Sequence, residues 1–171
     1  MVFSLFLFPE ITTLTGLKII SGGQTGADRA ALDFAIKHQI AVGGWCPKGR
    51  RAEDGIIDKR YPLSETNSRS YPIRTLKNIE TSDGTLIIYL QKFDAGTGLT
   101  LKLCKKLNKP HLAVKLSESA NKHTLLNWIN ENKISVLNVA GPRESSENGI
   151  YKDVFRYLEI SFNYASGGLY R

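Results

Sequence analysis

Short runs of aliphatic and β-branched residues alternate along this chain with stretches of helical periodicity, the pattern of βαβ units around a mostly parallel sheet. The runs predict strands over 18–21, 41–43, 85–90, 111–115 and 136–140, and the periodic stretches predict helices over 26–38, 70–81, 98–107, 120–132 and 151–159. In the first helix Ala27, Ala31, Phe34 and Ala35 share one apolar face that can cover a sheet, which leaves Asp28, Arg29 and Asp33 for water or ligand. There is no repeat, heptad or low-complexity segment. The expectation is a doubly wound α/β domain over 17–163, preceded by an extension (1–16) and followed by a tail (164–171). The exception to the alternation is 43–67, "GGWCPKGRRAEDGIIDKRYPLSETN", too long for an ordinary connection and rich in glycine, proline and charge.

Composition and charge narrow this picture. With 171 residues, 42% of them hydrophobic, the chain can bury one ordinary core and needs neither disulfides nor metal to fold. Cys46 and Cys104 make no disulfide framework and no CxxC or CxxH spacing occurs, so a reducing cytoplasm is the expected location. The apolar start "MVFSLFLFP" has no basic segment or small-residue cleavage site and is far shorter than the roughly 20 residues that span a bilayer, so no membrane partner is expected. The net charge of +7 favours an anionic partner. Its basic residues are scattered and show no nucleic-acid signature, so a small anion is expected before a nucleic acid.

The chemistry concentrates in the turns that follow strands. In "KIISGGQTGADRAALDFAI", Gly22, Gly23, Gln24, Thr25 and Gly26 separate a strand from a helix. Such a turn lets backbone approach a ligand while the helix N-terminus presents unpaired N–H groups. It is not a phosphate-binding P-loop, because Ala27 and Asp28 stand where Lys and Ser or Thr would follow Gly26. Two further turns have the same form: Gly96, Thr97, Gly98 and Thr100 after the third strand, and Gly141, Arg143 and Ser145 after the last. In a parallel sheet the three converge on one edge and make a single pocket of amides, hydroxyls and a guanidinium. Lys48, Arg50 and Arg51 in the long segment add positive charge, with Gly43, Gly44 and Gly49 giving it the flexibility to close over a ligand. Arg74 and Asn78, four apart, project from one helix face toward the pocket mouth or a surface contact. Asp28, Asp83 and Asp94 have no evident His or Lys partner, so no catalytic residue and no metal ligand is predicted.

Taken together, "SGGQTGADRAALDFA", "GWCPKGRRAEDG", "YPLSET", "RTLKN", "SDGTLII", "GTGLT" and "LNVAGPRES" resemble the proposed molybdenum carrier family, relatives of the molybdenum cofactor carrier proteins. That family is similar to a wider Rossmann-like group that includes the lysine-decarboxylase-like and cytokinin-activating LOG proteins. The resemblance runs from about Lys18 to Phe162. It implies a Rossmann-like α/β fold with helices on both faces of the sheet, a homotetramer, and a molybdenum ligand: the molybdenum cofactor, molybdate or a condensed oxomolybdate cluster. The implied binding is outer-sphere, through amides, hydroxyls, Arg and Lys, with delivery to a molybdoenzyme acceptor that the sequence does not name. LOG-type enzymes carry a PGGxGT loop followed by a glutamate, whereas "DAGTGLTLKL" has none. A LOG-like phosphoribohydrolase or a nucleotide-binding module is therefore the alternative.

Overall fold

The computed structural model describes residues 16–116 and 122–163. All but Gly16 of the predicted extension, the predicted tail, and the first two residues of the predicted fourth helix lie outside these. In chain order the elements are β1 (Lys18–Ile20), α1 (Ala27–Lys37), β2 (Ala41–Gly43), β3 (Trp45–Cys46), β4 (Arg51–Ala52), β5 (Gly55–Ile56), β6 (Ser64–Glu65), α2 (Tyr71–Thr81), β7 (Gly84–Tyr89), α3 (Ala95–Lys106), β8 (His111–Lys115), α4 (Lys122–Glu131), β9 (Val136–Ala140) and α5 (Ile150–Ser161).

Five of the strands form one sheet in the order β2-β1-β9-β7-β8. Every neighbouring pair in it is parallel, with Ile19 opposite Val42 on one side and Leu137 on the other, and Leu86 opposite Val139. Counting from β9 as the first strand, β1 becomes the second, β2 the third, β7 the fourth and β8 the fifth. The spatial order then reads 3-2-1-4-5, the first five strands of the Rossmann arrangement. The chain is thus a Rossmann-like α/β sandwich whose first strand has been moved to the end, and the point where strand order reverses lies between β9 and β7.

Both faces of the sheet are covered. Ile19, Leu86, Ile88, Leu137 and Val139 pack with residues of α1, α4 and α5 in the main core, whereas Ile87 faces Ile79 of α2 and Cys104 of α3. On the α2/α3 face Asn138 and Thr85 are buried side by side and share a 3.2 Å hydrogen bond, so this layer is the more polar one.

Two differences from the predicted elements bear on function. Helix α3 begins at Ala95, three residues earlier than its periodicity indicates, because the Asp94 carboxylate accepts the Thr97 N–H at 2.7 Å and caps the first turn. Gly96 and Gly98 are therefore in a helix rather than a loop. The segment 43–67, expected to be irregular and flexible, is folded: β3 pairs in parallel with β6, β4 and β5 make a hairpin, and Cys46, Ile57, Tyr61 and Leu63 form a small core against Leu32 of α1.

Candidate functional site

The glycine turn after β1 has room for two neighbours that a side chain would exclude. A Cβ on Gly22 would fall 1.9 Å from Nη1 of Arg74, and one on Gly26, where φ is +76°, would fall 2.6 Å from the Pro142 carbonyl. The first glycine admits a guanidinium and the second lets this turn abut the loop after β9, where the Ala27 N–H donates to the Pro142 carbonyl at 3.0 Å. Gly23 fits against Leu63 and Ile57 of the folded insert.

Arg74 reaches into this space from the first turn of α2. Its Nη1 donates to Oδ2 of Asp28 at 3.0 Å, and the same oxygen accepts the Gln24 N–H at 3.2 Å. Asp28 is buried at 4% exposure, so the carboxylate expected to face water or ligand is instead the counter-ion of Arg74. Burial pushes its carboxyl up, Arg74 and the Gln24 amide pull it back, and the net direction remains upward. The Gln24 side chain is also buried, and its Oε1 accepts the N–H groups of Glu53 at 2.9 Å and Thr25 at 3.1 Å. With the amide oriented in this way, Nε2 of Gln24 has no hydrogen-bond partner, and neither has Nε of Arg74. A buried donor left unpaired costs about 1–3 kcal/mol, so two of them beside one space point to a ligand that satisfies them.

That space is a cleft of about 250 Å³ across the carboxyl ends of β1, β9 and β7, lined among others by Gln24, Arg74, Gly96, Thr100, Gly141 and Arg143. The first turn of α3 enters it, and amides there have no carbonyl within their own helix. Thr100 lines the cleft but its hydroxyl donates to the Gly96 carbonyl at 3.0 Å, whereas the buried hydroxyl of Thr97 has no partner. Tyr71, Thr75 and Asp94 also border the cleft, and of these the sequence singles out only Asp94, as an acid without an evident partner. A more open hollow of about 540 Å³ lies beside Trp45, Ile73 and Lys77, without contributions from the ends of the sheet strands.

The remaining predicted residues fall elsewhere. Arg50, expected to grip an oxyanion, donates to four carbonyls of its own loop: Ile57 at 2.9 Å, Asp58 at 2.8 Å, Tyr61 at 2.9 Å and Leu63 at 3.1 Å. It is the strut of the insert. Lys48 is exposed on that insert, and Arg51 stands at the rim, 5.7 Å from the ring centre of Tyr71. Asn78 is 2% exposed and spends its amide on the backbone of Trp45, accepting at 2.8 Å and donating at 2.9 Å, which fastens β3 to α2. Thr25 and Ser145 turn their hydroxyls to the carboxylate of Glu53, a residue that sequence reasoning missed; its only signal was the short "AEDG" turn. Burial pushes the Cys46 thiol up, which suits a core residue and not a reactive one.

Among the described residues no group of three or more His, Cys, Asp or Glu side chains could hold a metal ion, and no helix is long and apolar enough to cross a membrane. What the sheet edge offers is N–H and guanidinium donors beside the engaged carboxylates of Asp28 and Asp94, at the switch point of a doubly wound sheet.

The chain belongs to the circularly permutated YpsA SLOG family, whose sequence pattern matches residues 19–162. The permuted strand order described above is the structural counterpart of that name. A solved structure from Syntrophus aciditrophicus SB, of a protein whose name proposes a molybdenum carrier, is 47% identical in sequence and superposes with a TM-score of 0.81. The match covers 84% of this chain and 93% of that one. No curated protein matches this sequence.

Proposed function

We propose that this chain binds and carries, or stores, a molybdenum species, held through its oxygen atoms in the cleft between the ends of β1, β9 and β7. The observation that carries this reading is the pair of buried, unpartnered donors, Gln24 Nε2 and Arg74 Nε, at the switch point of a chain 47% identical to a protein named for that role. Oxomolybdenum species present acceptor oxygens, and amides, hydroxyls and guanidinium groups bind such oxygens without a metal–protein bond, so the cargo can be released.

At about 250 Å³ the cleft lies just below the usual 300–1,000 Å³ of small-molecule sites. It accommodates molybdate or one end of a larger ligand such as the pterin cofactor, and an oxomolybdate cluster requires it to widen. We place the protein in the cytoplasm as a homotetramer, handing its cargo to a molybdoenzyme. The competing reading, hydrolysis of a phosphoribosyl compound, needs an uncommitted carboxylate in the cleft. Asp28 is engaged by Arg74 and Gln24, and Asp94 by the first turn of α3.

Elemental analysis after gel filtration tests the proposal, with the protein incubated either with molybdate or with the cofactor and pterin fluorescence read in parallel. Molybdenum should co-elute with the parent protein and fall at least about tenfold in Gln24→Leu, which removes one unpartnered donor and the Glu53 contact while keeping the side chain's bulk. Absence of molybdenum from the parent under both conditions overturns the reading and directs the next assay to phosphoribohydrolase activity.

A further inference from the structure

Glu53 occupies the turn of the β4–β5 hairpin, yet the groups that hold its carboxylate belong to the ligand loops. The hydroxyls of Thr25 and Ser145 donate to it, the Ser145 N–H donates at 3.2 Å, and the Arg143 guanidinium stands 3.8 Å away. Burial pushes this carboxyl up, but the bonds from Ser145 and Thr25 and the charge of Arg143 outweigh it, and the carboxyl lies below its ordinary range. Two hydroxyls, a backbone amide and a guanidinium around one anionic group are the donors by which loops at the ends of parallel strands take up phosphate and similar oxyanions.

The position of this nest matters as much as its chemistry. It joins the loops after β1 and β9, the strand that becomes the first of the Rossmann order. It is also continuous with the cleft, because Arg143 and Gln24 line the cleft and both meet Glu53. Gln24, which lines that space, is 6% exposed and its Nε2 has no hydrogen-bond partner, an indication of a ligand independent of the nest itself.

We propose that Thr25, Arg143 and Ser145 form an oxyanion subsite that Glu53 fills as a tethered competitor, and that a tetrahedral oxyanion, free or as the phosphate end of a larger ligand, binds by displacing it. The hairpin stays in place during this exchange. Its next residue, Asp54, is gripped by both terminal nitrogens of Arg29, with one bond at 2.7 Å, so only the Glu53 side chain has to swing out. Displacement would also widen a cleft that is narrow for the larger cargoes considered above. The inference rests on the cleft being the ligand site and not on the ligand containing molybdenum.

A tethered group competes at an effective concentration in the millimolar range, so its removal should be plain in a titration. Calorimetric titrations at neutral pH with inorganic phosphate, molybdate and phenyl phosphate, on the parent, Glu53→Ala and Glu53→Gln, supply the test. At least one probe should bind either variant about tenfold or more tightly than the parent, and adding Ser145→Ala should abolish the gain. A gain limited to phosphate and molybdate assigns the subsite to free oxyanions, and a gain that includes phenyl phosphate assigns it to the phosphate end of a larger ligand. Glu53→Gln keeps an acceptor for the two hydroxyls, so it covers the case in which Glu53→Ala loosens the hairpin. Equal or weaker binding of every probe in both variants, with an unchanged circular dichroism spectrum for Glu53→Gln, or no binding in any variant, overturns the proposal. Molybdenum retained by the parent alongside that result leaves the carrier reading standing, and a gain for phosphate without molybdenum retention does the reverse.

Discussion

The insert between β2 and α2 and the cleft at the ends of β1, β7 and β9 are made of the same residue types, glycine and arginine, and put them to opposite uses. In the insert Arg50 has its guanidinium surrounded by four backbone carbonyls, so the positive charge is consumed in holding a short stretch of chain that has few ladder hydrogen bonds. In the cleft Arg74 is 13% exposed, bonds Asp28 through one nitrogen and leaves Nε without a partner. An arginine near a glycine-rich loop is therefore not evidence of a ligand until the destination of its donors is known. A saturated guanidinium is a strut, and an unsaturated buried one is a socket.

The strongest way to break this contrast is to remove the socket. Arg74→Met leaves Asp28 buried without its counter-ion, a change that typically costs about 3–5 kcal/mol, and it should abolish molybdenum retention. The pH dependence carries the sign. Burial already raises the Asp28 carboxyl above its ordinary value, and loss of Arg74 raises it further. The folded state then holds the proton more tightly than the unfolded chain. The penalty is absent below the unfolded value of about 3.8, grows as pH rises toward the folded value and is complete above it. Thermal denaturation of Arg74→Met should thus improve on acidification. Arg74→Met with Asp28→Asn should recover most of the stability at neutral pH but none of the retention. Recovery of both would make Arg74 a second strut.

Removing the strut comes next in size. Arg50→Ala strips four carbonyls of their donor, and with partial access of water the expected cost is about 2–3 kcal/mol. For a domain of this length that lowers Tm by roughly 5–10 °C. Limited proteolysis should cut first within 47–63. Retention per folded molecule, measured well below Tm, should match the parent, and a selective loss of retention at full stability would return Arg50 to the ligand set.

These two arginines also mark where sequence reasoning succeeds and stops. The five sheet strands and their helices were legible because each shows its own hydrophobic period, and the three strand-to-helix turns do meet at one edge, as a parallel sheet requires. Three things were not legible, each for a local reason. Ladders of two residues have too few positions to show a period, so the fold of the insert was invisible. "DAGTG" reads as a loop by composition, and only the Asp94 cap turns it into a first helical turn. The order of strands is a property of their neighbours, so the permutation that puts β9 between β1 and β7 leaves no local trace. Arg74 and Asn78 were correctly placed on one helix, but Asn78 turns to the Trp45 backbone while Arg74 enters the cleft, a distinction made by tertiary packing alone.

The smallest effect is expected at the boundary between the two regions, where Arg51 belongs to the hairpin by chain and to the cleft by proximity. Its guanidinium lies 5.7 Å from the ring centre of Tyr71, which borders the cleft, and Arg74 lies 5.8 Å from the same ring centre. Exposed contacts of a cation with an aromatic ring contribute about 0.5–1 kcal/mol, so Arg51→Ala acting only through Tyr71 should weaken binding by about two- to fivefold with little change in Tm. A direct contact with an oxyanion would behave differently. The loss would exceed about tenfold, and the difference between parent and variant would shrink as salt is added, because an exposed charge pair is screened over roughly 10 Å at 0.1 M. Titrating molybdate into parent and Arg51→Ala at two ionic strengths separates the cases, since the ring-mediated effect is small and independent of salt while the direct one is large and salt-dependent.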